Sequence, residues 1–228
     1  MLVQITEHMW EAQVDLNLIG RLVIFPCRMT VIRLKNGALL LHSPVRIDDA
    51  LAAEIDTLGP VRTLIAPNCF HHLYLKDVMA RYPEAKLYTA PGLAQKRPDL
   101  DVTAEIRPGK NLPWADEIEW FPLGGAAKMN EIILLHRATK TLIVTDLMFN
   151  MSKVRGPMTP WLLRAAGAWR KPAQSRVWRI LTNDRGAAKA SLQPVLARPF
   201  ERVVMAHGDV IERDGKAHFA RALQWMLA

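Results

Sequence analysis

The sequence predicts an α/β (α+β) protein in which two mixed β-sheets lie face to face and helices cover their outer faces. Two observations predict this class: short apolar runs alternate with helical segments, and each half of the chain begins with paired strands and ends with helices. With 228 residues, half of them hydrophobic, the chain can bury a large core. We expect a single domain over residues 1–228, because no Ser/Gly-rich linker, repeat or low-complexity tract interrupts the sequence.

The first half begins with a hairpin. Asn36-Gly37 separates apolar runs at residues 29–34 and 38–42, and Asn-Gly between two such runs is typical of a type I′ β-turn. Residues 90–113 have little periodicity and predict loops with one short helix. The other predicted elements of this half are a helix capped by Asp48-Asp49, a buried strand at 61–65, a helix at 73–82 and a short strand at 86–89.

The second half repeats the scheme of strands followed by helices. Thr159-Pro160 combines a helix cap with a first-turn proline, which predicts a helix start. The predicted strands lie at 117–121, 131–136, 140–145 and 203–206, and the other predicted helices at 184–196 and 216–227.

Side chains that can ligate a metal follow three of the predicted strands. His71 and His72 lie on the loop after one strand, while Asp146 and His207 each directly follow another. Ligands collect at the carboxyl ends of strands in α/β proteins, and neutral imidazoles with a carboxylate can bind one divalent ion. Adjacent histidines on a loop are also often only hydrogen-bonded or solvent-exposed, so both interpretations stay open.

Basic residues and tryptophans are concentrated in residues 153–202. This segment holds 11 Lys/Arg and 2 Asp/Glu and therefore carries the whole excess behind the net charge of +8. It also contains Trp161, Trp169 and Trp178. Such a segment suits nucleic acid, an anionic membrane surface or an acidic substrate, while a solvated helical face with inward tryptophans is the simpler interpretation.

The cytoplasm is the expected compartment. The N-terminus lacks the basic start and apolar core of a signal peptide, and the longest apolar runs are too short to span a membrane. Cys27 and Cys69 are too few for a disulfide framework, and a reducing compartment keeps both as thiols.

Several of these motifs resemble the metallo-β-lactamase-like superfamily, and the resemblance covers nearly the whole chain. Residues 141–147 resemble the strand whose aspartate bridges two metals, residues 204–208 resemble the late strand that ends in a ligand histidine, and residues 39–44 resemble an early strand. The resemblance implies a four-layer αββα sandwich. The motifs most similar to a domain-of-unknown-function branch of that superfamily (DUF4336-like) are residues 66–68, His71-His72, Asn130-Glu131, His136-Arg137 and Thr145-Asp146.

The sequence departs from the superfamily's His-x-His-x-Asp-His signature. Aligned on its last histidine, the four ligand positions hold Pro67, Cys69, His71 and His72. The loop at 124–128, where the superfamily has a Gly-His pair, also lacks a histidine. The resemblance therefore implies that the first metal site is lost.

A single ion, expected to be zinc, would then occupy the second site. The resemblance implies His72, Asp146 and His207 as its ligands, with His71 in place of the superfamily's aspartate. Asn68 and Glu131 are candidates either to orient the imidazoles or to make ordinary structural hydrogen bonds.

The resemblance implies a metal-dependent hydrolase of a small ester, thioester, lactone or phosphoester. The ion would lower the pKa of a water and polarise the scissile group, with His71 or Asp146 as the base. The positive segment 153–202 predicts an anionic small-molecule substrate. The alternative is a non-catalytic protein of the same fold that uses this segment to bind nucleic acid, an anionic surface or an acidic protein, with a closed, structural metal site or none.

Overall fold

The computed structural model describes residues 1–228, with eleven strands and eight helices. The chain divides into two compact units, the first formed by Met1–Val14 with Arg28–Trp114 and the second by Asp15–Cys27 with Ala115–Ala228. The single domain expected over residues 1–228 stays a prediction.

A seven-stranded sheet has its strands in chain order. β1 pairs antiparallel with β2, β3 pairs antiparallel with β4, and β4 to β7 are parallel. The central strands β4 and β5 are almost wholly buried, as strands covered on both faces are. The strands are β1 Val3–Thr6, β2 Met9–Leu18, β3 Val23–Arg33, β4 Leu39–His42, β5 Val61–Ala66, β6 Lys86–Thr89 and β7 Ala104–Glu105.

Three helices belong to the first unit: α1 Asp49–Asp56, α2 Leu75–Arg81 and α3 Leu93–Lys96. The carboxylate of Asp48 accepts a hydrogen bond from the Leu51 amide at 2.9 Å, so Asp48 is the N-cap of α1, as its position in the sequence predicted.

The second sheet has the strand order β11-β10-β9-β8 and lies in the second unit. β8, β9 and β10 form an antiparallel meander, and β11 pairs parallel with β10. These strands are β8 Ile118–Pro122, β9 Ile132–His136, β10 Thr141–Val144 and β11 Arg202–Met205.

Five helices complete the second unit. The buried faces of the last four join the sheet in one core that includes Trp178, Leu192, Phe219 and Met226, whereas Leu163 of the first packs in a separate small cluster with Met151. The helices are α4 Thr159–Ala166, α5 Val177–Leu181, α6 Arg185–Leu196, α7 Gly215–Ala222 and α8 Gln224–Leu227. None of the eight helices of the protein combines the length and the apolar character that a bilayer-spanning segment requires.

Both predicted hairpins and the strands that precede the candidate ligands are confirmed. The predicted type I′ turn is not formed, because it requires positive φ at both Asn36 and Gly37 and only Gly37 has one, +82°. The sequence pattern did not predict β1, β2 and the first half of β3, whose mixed polar and apolar residues form a partly exposed edge region. The two-residue strand β7 was also not predicted, and α5 lies in the segment 153–202, which was expected to be mostly helical but for which no separate helix was predicted at this position. The closing helix predicted at 216–227 is interrupted at Leu223, where α7 ends and α8 begins.

Candidate metal centre

Asp146 and His207 lie side by side in the second unit because the strands that precede them are paired. β10 and β11 run parallel with Val144 opposite Met205, and each candidate ligand lies two residues beyond that pair. Both side chains therefore leave the sheet at the same edge, where His207 Nε2 lies 3.1 Å from Asp146 Oδ1. His207 is buried and Asp146 is partly exposed, so solvent reaches the carboxylate.

A backbone carbonyl fixes the ring of His207. Its Nδ1 lies 2.7 Å from the carbonyl oxygen of Pro26, and because a carbonyl only accepts hydrogen bonds, Nδ1 carries a proton and donates it. Phe25 and Phe149 pack edge-on against the ring at centroid distances of 5.9 and 5.1 Å. The ring therefore presents Nε2 to Asp146, as expected of a histidine that ligates through one nitrogen and is oriented through the other.

The pKa of His207 lies far above its ordinary value. Burial alone would lower this pKa, but hydrogen bonds and charge from Asp146 and Cys27 raise it to about 10. His207 Nε2 therefore holds a proton for Asp146 across the neutral range. An ion that binds Nε2 must displace this proton, so metal binding must release it.

Glu131 holds the loop that carries Asp146. Its fully buried carboxylate accepts hydrogen bonds from the backbone amides of Thr145 at 2.7 Å, Asp146 at 2.9 Å and Leu147 at 3.0 Å. Burial, followed by the charge of Asp146, raises the pKa of Glu131, and the hydrogen bonds from the three amides oppose this rise by stabilising the carboxylate. Of the two roles that the sequence left open for Glu131, these contacts support the structural one, because they orient backbone amides and no imidazole.

Two further contacts fix the strand ends. The indole Nε1 of Trp178 donates to the Asp146 carbonyl oxygen at 2.7 Å, so α5 supports the Asp146 loop from a second side. Gly208 follows His207 with φ +96°, and a Cβ there would collide with the Asn150 carbonyl. Only glycine fits this turn without strain, which explains the His-Gly pair.

In the first unit, Asn68 shapes the loop that carries the two histidines. Its side-chain oxygen accepts hydrogen bonds from the backbone amides of Phe70 and His71, both at 2.9 Å. His71 Nδ1 lies 2.7 Å from the Ser43 hydroxyl, directly after β4. Because β4 and β5 are parallel neighbours, Ser43 and the histidine loop leave the sheet at the same edge.

His72 has a different set of partners. Arg97 Nη1 lies 2.9 Å from His72 Nδ1 and 3.1 Å from its carbonyl oxygen, and because arginine only donates, Nδ1 accepts. Burial, then the charges of Lys96 and Arg97, lower the pKa of His72. The adjacent histidines therefore have different partners within the first unit, Ser43 for His71 and Arg97 for His72.

The positions at which the sequence lacks superfamily ligands have structural roles. Cys69 is buried and its thiol contacts the Pro91 carbonyl oxygen at 3.5 Å. Burial is the main cause that raises the pKa of this thiol. In the 124–128 loop, Gly124 donates its amide to the Ser191 hydroxyl at 2.9 Å, so this loop packs against α6.

His42 is a fully buried histidine at the end of β4. Its Nε2 has no hydrogen-bond partner, and burial, then the charge of His71, lower its pKa to about 3. The ring therefore stays neutral at all pH values at which the protein is expected to work.

The sequence pattern predicts the candidate ligands but not the groups that position them, including Ser43 and the Pro26 carbonyl. The signal for Ser43 was available, because it directly follows a predicted strand as the ligands do. No residue type could identify Pro26, since it acts through a backbone carbonyl.

Comparison with solved structures shows that the protein has the metallo-β-lactamase fold, the αββα sandwich with two mixed sheets. It is similar to a metallo-β-lactamase from Pontibacter korlensis, with a TM-score of 0.67, 14% identity and 98% of each chain covered. It is also similar to a metallo-β-lactamase from Erythrobacter litoralis, with a TM-score of 0.70 and 13% identity; 99% of this chain and 95% of the other chain are covered. The metallo-β-lactamase FIM-1 from Pseudomonas aeruginosa, in its mono-zinc form, matches with a TM-score of 0.65 and 13% identity; 100% of this chain and 96% of the other chain are covered.

Within this fold class the chain belongs to the DUF4336 family, described as a domain of unknown function, which matches residues 7–167. A comparison with curated proteins gives no match. The predicted resemblance and the predicted fold class are therefore both confirmed.

Replacing Glu131 with Gln should destabilise the protein. The variant keeps the shape of the side chain but turns one acceptor oxygen into a donor that faces backbone amides. We expect the free energy of unfolding in urea to fall by about 1–3 kcal/mol for each amide left unpaired. The matched control is Glu119→Gln, whose carboxylate pairs with Arg137 and Arg198 near the surface and should contribute less than about 1 kcal/mol. An equal decrease in the free energy of unfolding for the two variants would contradict the proposed role of Glu131 in holding the three amides.

His42 should make the protein less stable in acid. Its pKa of about 3 in the folded chain lies below the ordinary 6.5, so its stabilising contribution is complete above pH 6.5 and is lost as pH falls toward 3. We expect a loss of about 2 kcal/mol between pH 7 and pH 5 in urea unfolding. His42→Leu should flatten this dependence, whereas His8→Gln, at a partly exposed position, should not. An equally steep loss in the His42→Leu variant would exclude this cause.

Proposed function

We propose that the protein is a metal-dependent hydrolase of a small ester, thioester, lactone or phosphoester. In this proposal one divalent ion, expected to be zinc, is held by His71, Asp146 and His207. The observation that carries the proposal is the Asp146–His207 pair, in which the ring of His207 is oriented by the Pro26 carbonyl and presents Nε2.

The chemistry of the donor set fits zinc. Two imidazole nitrogens and one carboxylate oxygen are a common set for catalytic zinc, which needs three protein ligands and one further position. The mono-zinc form described for FIM-1 supports a single ion in a protein of this fold. Pro67 and Cys69 stand where the superfamily signature has histidines, and residues 124–128 contain no histidine, which also favours one ion over two.

A bound zinc ion would supply a Lewis acid that lowers the pKa of a water and polarises the scissile group. Asp146 is then the better base, because one of its carboxylate oxygens can ligate while the other accepts a proton. His71 has its Nδ1 beside the Ser43 hydroxyl and would pass a proton only through that contact. Glu131 and Trp178 keep Asp146 in position through its backbone.

The expectation that His72 ligates the same ion stays a prediction, and its contact with Arg97 argues against it. Because Nδ1 accepts from Arg97, the neutral ring carries its proton on Nε2, and the nearby charges of Lys96 and Arg97 disfavour a cation at this ring. We propose instead that the charge of Lys96 favours an anionic substrate group, since Arg97 is already paired with Asp99 at 2.7 Å.

Protein purified without added metal or chelator should contain about one zinc ion per chain by elemental analysis. His207→Ala, Asp146→Ala and His71→Ala should each lower zinc affinity by about tenfold or more, whereas the control Cys69→Ala should have little effect. Because His207 holds a proton up to about pH 10, affinity should keep rising across the neutral range and should not level off near the ordinary histidine pKa of about 6.5. Two ions per chain, or none after zinc is supplied, would contradict the proposed centre.

Hydrolysis should require both the ion and Asp146. A panel of nitrophenyl esters, thioesters, lactones and phosphoesters should give zinc-dependent turnover with at least one class. Asp146→Asn should lower kcat by about 100-fold or more at full zinc loading, since an amide cannot accept the proton. Zinc-loaded protein that is inactive on every class, or an Asp146→Asn variant with unchanged kcat, would favour a structural metal site.

A further inference from the structure

An exposed apolar surface lies in the second unit, where the β2–β3 turn meets the start of α4. Ile19 is 67% exposed and Trp161 is 72% exposed, both unusually high for such large apolar side chains. The Met158 amide donates to the Leu22 carbonyl at 2.9 Å, so the turn and the helix start are in direct contact. The apolar surface consists of Leu18, Ile19, Leu22, Met158, Trp161 and Leu162.

Helix α4 has apolar residues on both its inner and its outer side. Leu163 is buried in the core, while Trp161 and Leu162 point to solvent. By contrast, α6 in the same unit exposes Arg185, Lys189 and Gln193. A helix that is apolar on its solvent side usually has a second partner, because a helix that is only surface-exposed has a polar outer face.

The segments that carry the apolar surface are rich in cations. Residues 147–183 contain seven Lys/Arg and no Asp/Glu, and residues 16–24 add Arg21 and no acid. One nearby acid, Asp15, is paired with Arg155 at 2.5 Å. Arg164 lies over the ring of Trp161 at 5.5 Å and over that of Trp169 at 4.2 Å. The partner of this surface is therefore expected to be both apolar and anionic.

Two other partners fit this combination less well. Nucleic acid would gain from the cations and from stacking on Trp161, but Ile19, Leu22 and Met158 have no ring on which a base can stack. A second copy of this chain, packed through the same surface, would place the same cations opposite one another without acids to neutralise them.

We propose that this surface docks the protein onto an anionic phospholipid bilayer. Trp161 and Ile19 would enter the boundary between headgroups and acyl chains, as tryptophan and aliphatic side chains do in interfacial helices. The surrounding arginines and lysines would pair with lipid phosphates and with anionic headgroups. Both contributions are needed, so neutral bilayers bind weakly.

Vesicle co-sedimentation with the full chain tests this proposal. The vesicles contain phosphatidylcholine alone or with about one third phosphatidylserine, a composition whose surface potential attracts cations. Wild-type protein should bind only the anionic vesicles, and less at high salt. The double variant Ile19→Ser/Trp161→Ser and the double variant Arg164→Glu/Arg170→Glu should each weaken binding by about tenfold or more. The matched control is Val3→Ser, an exposed apolar position in the first unit that should leave binding unchanged.

Thermal unfolding of each variant checks that the substitutions leave the fold intact, as expected for exposed positions. Equal binding to neutral vesicles, no binding to either kind, or unchanged binding in both double variants would overturn the proposal. So would RNA or DNA binding that depends on Arg164 and Arg170 but not on Ile19. A dimer by light scattering that the Ile19→Ser/Trp161→Ser variant abolishes would instead identify an interface between copies.

Discussion

The position of Asp146 depends on the hydrogen bonds between the buried carboxylate of Glu131 and the backbone. It accepts hydrogen bonds from three successive amides just after β10, and these amides have no strand partner there. A carboxylate is suited to this position because its two oxygens can accept several hydrogen bonds at once, and an unpaired buried amide is costly. The backbone of Asp146 is thus fixed before any ligand binds, and Trp178 holds the same loop from the side of α5.

Strand pairing explains the rest of the second-unit geometry. The parallel register of β10 and β11 places Asp146 and His207 at equivalent positions, and the Pro26 carbonyl then selects which nitrogen of His207 faces the carboxylate. The result is a charged pair in which the proton on His207 occupies the place that we propose for an ion. Competition between proton and metal is therefore inherent in this arrangement, and pH should control its occupancy.

The basic segment 153–202 contains both buried and exposed tryptophans. Trp178 is buried and donates a hydrogen bond to the Asp146 carbonyl, whereas Trp161 is exposed and lies beside Arg164. The simpler interpretation, with all tryptophans packed inward, therefore holds for Trp178 and is wrong for Trp161. One segment thus supports the candidate site on its inner side and offers a cationic, apolar surface on its outer side.

The sequence by itself determined the strands that precede the candidate ligands, the Asp48 cap and the Asn36-Gly37 hairpin, because these depend on local periodicity and turn chemistry. It also determined the family and fold class through residues that keep their spacing. Only the tertiary structure decided that Glu131 binds backbone amides, that His72 contacts Arg97 while His71 contacts Ser43, and that Trp161 faces solvent. These features depend on which distant segments become neighbours and on the direction in which a loop points two adjacent side chains. The spacing of residues along the chain determines neither of these.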